Sequence, residues 1–182
     1  MATVRYVAFL RAINVGGRTV TMAALKRPFE QLGFQDVETF IASGNVMFRT
    51  ARRSTARLEA QIEDALRTAL GYDVPAFIRT DQEVAAVARH QPFPAAAMRA
   101  AQSLNVGFVA QPIDGPTRSA LMALTTDIDT FHVDGREIYW MCRKRQSDSK
   151  ISNVVLERAL RIRSTFRGLN TVVRLADRLK PA

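Results

Sequence analysis

Cysteine and histidine are almost missing from this chain, which has one cysteine, Cys142, and two histidines, His90 and His132, in 182 residues. A single thiol excludes an internal disulfide. With the histidines far from Cys142 and from each other in sequence, and no CxxC or HExxH spacing, no metal site is expected. Long apolar runs are lacking as well. Tyr6 to Leu10 is too short for a signal segment or a membrane span, so a soluble protein of a reducing cytoplasm is expected, without a membrane partner. No GxxxxGK[ST] loop occurs, which sets a P-loop nucleotidase aside. At this length one compact body, or two small fused ones, can bury enough apolar surface to fold without staples.

Acidic residues are scarce only in the last quarter of the chain. Residues 1–135 hold 14 Lys/Arg against 13 Asp/Glu, whereas residues 136–182 hold 12 against 4, so +8 of the net +9 lies in the last 47 residues. Arginine supplies most of it, with 22 Arg to 4 Lys in the whole chain. Its planar fork suits phosphate and carboxylate. An arginine-rich, alanine-rich sequence also follows from the coding composition of a genome, but that does not produce a regional asymmetry.

The apolar periodicity reads as one order of elements used twice. Val4 to Arg11 suits a central strand. The spacing Met22, Leu25, Phe29, Leu32 is helical, with Thr21 as N-cap, a bend expected at Pro28 and a stop at Gly33. Val37–Ile41 and Val46–Phe48 flank Ser43-Gly44-Asn45 as a hairpin. A second amphipathic helix carries Leu58, Ile62 and Leu66 and closes at Gly71, and Val74–Arg79 completes the set. Thr80 to Glu83 has capping-box spacing and opens a connecting helix that Gln91-Pro92-Phe93-Pro94 breaks. Leu104 to Ala110 alternates as a strand, Gly115-Pro116 opens a helix, and Asp134-Gly135 turns a hairpin between Phe131–Val133 and Ile138–Cys142. Ser152–Leu160 is the next helix and Ser164–Leu169 a short strand, with Asn170 capping a final helix. Strand-helix-strand-strand-helix-strand is the split βαβ unit. The fold class expected is therefore α+β, two fused ferredoxin-like units with antiparallel sheets. Residues 1–80 form the first, and 81–182 hold the connecting helix, a second βαββα-type unit and the C-terminal helix.

Several of these segments carry a further pattern. Arg11-Ala12-Ile13-Asn14-Val15-Gly16-Gly17, Met22 to Phe34 and Ser43-Gly44-Asn45-Val46 follow one another in order. Pro92-Phe93, Gly135-Arg136-Glu137-Ile138-Tyr139, Ser149-Lys150-Ile151, Leu156-Glu157 and Arg167 with Thr171-Val172 continue the string. Together they resemble the signature of the bacterial domain-of-unknown-function 1697 family, nearly end to end. That resemblance implies no established reaction, substrate or cofactor. The chain also departs from the family pattern. Ala12 stands where glycine is usual, Arg143 to Ser147 replaces a glycine-bearing segment, and Gly168-Leu169 replaces an Asn-Trp pair.

Two candidate sites emerge. With strand order 4-1-3-2, the end of strand 1 and the hairpin joining strands 2 and 3 reach the same sheet edge, bringing Arg11, Asn14, Gly16, Gly17 and Arg18 toward Ser43, Gly44 and Asn45. In one reading the glycines let backbone N–H groups approach an anion, and an arginine adds charge. In the other, the glycines serve only positive φ in tight turns, and the asparagines bond local backbone. The second site is the basic run 136–182, with Arg143, Lys144, Arg145, Lys150 and Arg167, which fits nucleic acid or another polyanion or is a solvated face. Cys142 alternates with Ile138 and Trp140 and reads as core. Asp127, Asp129 and Asp134 lack EF-hand spacing and read as turn and strand-edge residues. No catalytic constellation is complete. The expected function is a binding module for phosphate-bearing ligands, nucleotide or nucleic acid, with an enzyme at the Gly16-Gly17 edge or a partner-binding protein as alternatives and no cofactor.

Overall fold

The computed structural model describes residues 2–14, 19–41 and 44–180. The chain divides into two compact units, Met1–Ala85 with Leu175–Ala182, and Ala86–Arg174. In the first unit β1 (Val4–Leu10), α1 (Met22–Gln31), β2 (Gln35–Phe40), β3 (Asn45–Thr50), α2 (Thr55–Leu70) and β4 (Ala76–Thr80) follow in order. After α3 (Asp81–Arg89) and α4 (Ala95–Ala100) come β5 (Ser103–Phe108), α5 (Gly115–Met122), β6 (Asp129–Asp134), β7 (Glu137–Cys142), α6 (Asn153–Leu160), β8 (Thr165–Gly168) and α7 (Leu169–Leu179). Both sheets are four-stranded and antiparallel, ordered β2-β3-β1-β4 and β6-β7-β5-β8. That is the 4-1-3-2 order of the split βαβ unit, met twice.

The local signals explain where most elements begin and end. Thr21 accepts the Ala24 amide at 3.1 Å, and Thr80 and Glu83 exchange bonds, Glu83 N–H to Thr80 Oγ1 at 3.1 Å and Thr80 N–H to Glu83 Oε2 at 2.8 Å. The latter is the reciprocal capping box, which satisfies two amides that a helix start leaves without partners. Gly71 ends α2 at φ +77, where a Cβ would be strained. Helix α1 runs through Pro28, buried beside Leu25 and Phe29. Two expectations need correcting. Helix α4 forms just beyond the break at Pro94, and α7 starts at Leu169, so Asn170 lies inside the helix instead of capping it. The short run Ala95-Ala96-Ala97 has the highest helix propensity available, and its alanines give no apolar periodicity to read.

In each unit two helices cover one sheet face, α1 and α2 in the first and α5 and α6 in the second. Tyr6, Ala8 and Leu10 from β1, Val46 and Phe48 from β3, and Ala76 and Ile78 from β4 meet Leu25 and Phe29 of α1 and Leu58, Ile62 and Leu66 of α2. Phe131, Val133, Ile138 and Trp140 meet Leu121 of α5 and Leu156 and Leu160 of α6 in the second. Alternate residues of each strand supply these sets, as the period-2 pleat requires. Gly107 sits inside β5 for a packing reason, because a Cβ there would lie 2.5 Å from the Phe166 ring on neighbouring β8.

Candidate functional site

The end of β1 and the β2–β3 hairpin do meet. Leu10 N–H donates to the Gly44 carbonyl at 2.8 Å, and a Cβ on Gly44, which has φ +73, would sit 2.9 Å from Ile13 Cγ1. Gly16, Gly17, Arg18 and Ser43 lie outside the described residues. Of the others, Arg11 is partly exposed, Asn14 Oδ1 accepts the Val20 amide at 2.7 Å, and the buried Asn45 donates through Nδ2 to the Phe40 carbonyl at 3.1 Å. Each asparagine thus ties a turn to its own backbone, which the turn reading calls for. Ala12 has φ +63, inside the left-handed region that costs an L-residue roughly 1–2 kcal/mol. This gives a physical meaning to the glycine usual at that position. Ala12→Gly is expected to stabilise the protein by about 0.5–1 kcal/mol, strain relief less the added freedom of the unfolded chain, measured by urea unfolding. A destabilised variant would show that Ala12 is unstrained.

The basic run is divided between the two units, and its members differ in exposure. Arg178 and Lys180 belong to the first unit, where Arg178 pairs with Glu38 at 3.1 Å and Lys180 with Asp177 at 2.7 Å. Arg167 is only 8% exposed, with Nη1 donating to Thr165 Oγ1 and the Phe166 carbonyl, both at 2.8 Å. Burial pulls its pKa down to about 10. The second unit keeps Arg158, Arg161, Arg163 and Arg174 exposed, and its densest group in sequence is the arch 143–150, where Arg143, Lys144, Arg145 and Lys150 are all exposed.

The arch is held at its Ser149 end by a group that the sequence reading treated as an edge residue, and at its Arg143 end by the backbone next to that group. Asp129 is 1% exposed. Its Oδ1 accepts Trp140 Nε1–H at 2.8 Å, while Oδ2 accepts the hydroxyls of Thr126 at 2.9 Å and Ser149 at 2.8 Å. Ser149 Oγ in turn accepts the Ile151 amide at 2.9 Å, and Arg143 N–H donates to the Ile128 carbonyl at 2.8 Å. A buried carboxylate with three donors is satisfied and fixes the segments that supply them. The arch thus leaves β7 beside Arg143, makes a single 3-10 turn at Gln146–Asp148 and returns to a hydroxyl anchored in the core.

Cys142 is fully buried, and burial raises its thiol above the ordinary range, so the basic neighbours do not make it a nucleophile. The two histidines, 42 positions apart in sequence, stand with ring centroids 5.5 Å apart. Tyr139 lies 4.9 Å from His90, and Asp134 Oδ2 is 3.8 Å from its Nδ1. Burial first, then the proximity of His90, lowers the His132 pKa. Sequence spacing missed this cluster, because it needs β6, β7 and the end of α3 together. No group of three or more potential metal ligands occurs among the described residues, and none of their helices is long and apolar enough to cross a membrane.

A family model described as "Protein of unknown function (DUF1697)" matches residues 3–139. The chain belongs to this family. The match includes β1, the hairpin at Gly44 and the start of β7, and it ends before the arch. Among solved structures, the DUF1697 chain is similar to the conserved bacterial protein SP0830 from Streptococcus pneumoniae. The TM-score is 0.75 at 23% identity, with 98% of this chain and 100% of that one covered. At that identity the likeness shows the fold alone. No curated protein matches the chain.

Proposed function

We propose that this DUF1697 protein is a binding module for phosphate-bearing ligands, and that the arch 143–150 contacts the backbone of a nucleic acid. One observation carries the reading. Arg143, Lys144, Arg145 and Lys150 are exposed, none has a carboxylate partner among the described residues, and the Asp129 network orders the segment that presents them. Asp148 is the single acid within the arch. Unpaired arginines and lysines on an ordered loop lose little conformational freedom on meeting phosphates and release the condensed counterions. In the cytoplasm expected from the single thiol, RNA and DNA are the abundant polyanions. Contacts of this kind give little base preference, because phosphates carry no sequence information.

The test is the salt dependence of binding to a labelled single-stranded oligonucleotide, followed by fluorescence anisotropy. The log-log slope is expected near −0.7 for each phosphate neutralised, and replacing Arg143, Lys144 and Arg145 by serine should flatten it by up to about 2 units. Absence of binding at about 50 mM salt, or a parent-like slope in the triple variant, would reject the proposal.

A further inference from the structure

The first unit carries a second concentration of arginine that the charge count along the chain hides. A recess of about 490 Å³ is lined by Arg5, Arg49 and Arg53, with Thr80, Asp81 and Gln82 across from them. Arg5 and Arg49 are register partners on the antiparallel strands β1 and β3, so their side chains leave the same face directly opposite one another. Like charges in that position repel. Neighbouring groups hold these side chains without cancelling most of the charge. Arg5 Nη1 donates to the Leu179 carbonyl at 3.2 Å and Arg53 Nη2 to the Ala2 carbonyl at 2.9 Å, and carbonyls fix a guanidinium but leave it cationic. Of the three, Arg49 has an ion pair, with Asp36 at 3.3 Å from Nε, and that Nε is buried with no hydrogen bond. Asp81, the one acid in the lining, accepts the Gln82 amide on Oδ1 at 2.8 Å, and its Oδ2 has no partner among the described residues.

We propose that this recess binds a small phosphate monoester of a hydroxylated sugar, with the phosphate between Arg5, Arg49 and Arg53 and a sugar hydroxyl donating to Asp81 Oδ2. The volume lies within the usual range for small-ligand sites. Three guanidinium forks match the phosphate oxygens, and the anion relieves the repulsion between Arg5 and Arg49. Asp81 makes bare phosphate a poor occupant, since a carboxylate repels an anion, and favours a ligand that brings a hydroxyl donor. The site goes beyond the nucleic-acid reading and shares no residue with the arch.

Isothermal titration of the full chain with ribose 5-phosphate, AMP and inorganic phosphate tests it. Both esters should bind more tightly than inorganic phosphate, and the tighter of the two assigns the source as sugar phosphate or nucleotide. Arg49→Gln should weaken both by roughly tenfold or more, through loss of a charged donor. The same variant should leave the melting temperature of the free protein nearly unchanged, because it removes the repulsion from Arg5 together with the exposed pair to Asp36. Arg53→Gln, outside the sheet, supplies the same readout if Arg49→Gln fails to fold. The arch triple variant should bind the esters like the parent, which separates failure here from failure of the nucleic-acid proposal. The inference is overturned if neither ester saturates the protein by about 10 mM, if inorganic phosphate binds as tightly as the esters, or if the folded arginine variants keep parental affinity.

Discussion

Asp129→Ala is expected to destabilise the second unit by about 3–5 kcal/mol and to free the arch. The substitution leaves Trp140 Nε1–H, in a fully buried side chain, without an acceptor, a loss of about 1–3 kcal/mol by itself. The hydroxyls of Thr126 and Ser149 lose charge-assisted bonds at the same moment. Trp140 is the only tryptophan in the chain, so its fluorescence during urea unfolding reports the second unit selectively. The arch gives an independent readout, because Arg143, Lys144, Arg145 and Lys150 are all trypsin sites. Cleavage there should accelerate well before global unfolding, since local opening sets proteolysis of tethered segments. Asp129→Asn keeps the shape and one acceptor for Trp140 and should lose less than half as much. A loss below about 1 kcal/mol in the alanine variant, with trypsin resistance intact, would mean that Asp129 does not hold the arch.

Phe48→Ala should be equally damaging in the first unit, at about 3–5 kcal/mol. Phe48 is fully buried at the centre of β3. Its ring stacks on Phe34 at 4.6 Å and on Tyr6 at 5.6 Å, and meets Phe29 edge-on at 5.5 Å. Removing it deletes three aromatic contacts and opens a cavity among side chains from β1, α1 and the α1–β2 turn, which are too well fixed to collapse into it. The damage extends to the surface, because the Arg52 guanidinium lies 5.3 Å above Phe34, and Arg52 also donates to the Leu32 carbonyl and to Gln61. Phe48→Leu fills most of the space and should lose roughly 1–2 kcal/mol. Far-UV circular dichroism reports both units, so the part of its transition that Trp140 fluorescence does not share follows this one. An alanine variant within about 1 kcal/mol of the parent would mean that the aromatic group is loosely packed.

The order of the strands and main helices, the caps at Thr21 and Thr80 and the repeated split βαβ topology were determined by sequence alone, whereas α4 and the start of α7 were not. Those signals are local: Thr21 with Ala24, Thr80 with Glu83, glycine at the left-handed end of α2, and the compact apolar runs of β1 and β7. The meeting of β1 with the Gly44 hairpin also followed from sequence, since strand order fixes which ends share an edge. The tertiary structure alone decided everything that depends on register or on burial. Arg5 faces Arg49 because β1 and β3 pair in one register, and a slip by one residue would send one of them to the other face. Asp129 gathers donors from positions 126, 140 and 149, which no spacing rule connects, and His90 reaches His132 only after β6 and β7 pair. The charge count treated residues 136–182 as one basic run, but folding buried Arg167 and returned the chain from Leu175 onward to the first unit. Linear charge sums side chains by position, whereas a binding surface is set by which of them remain exposed together and without a counter-charge.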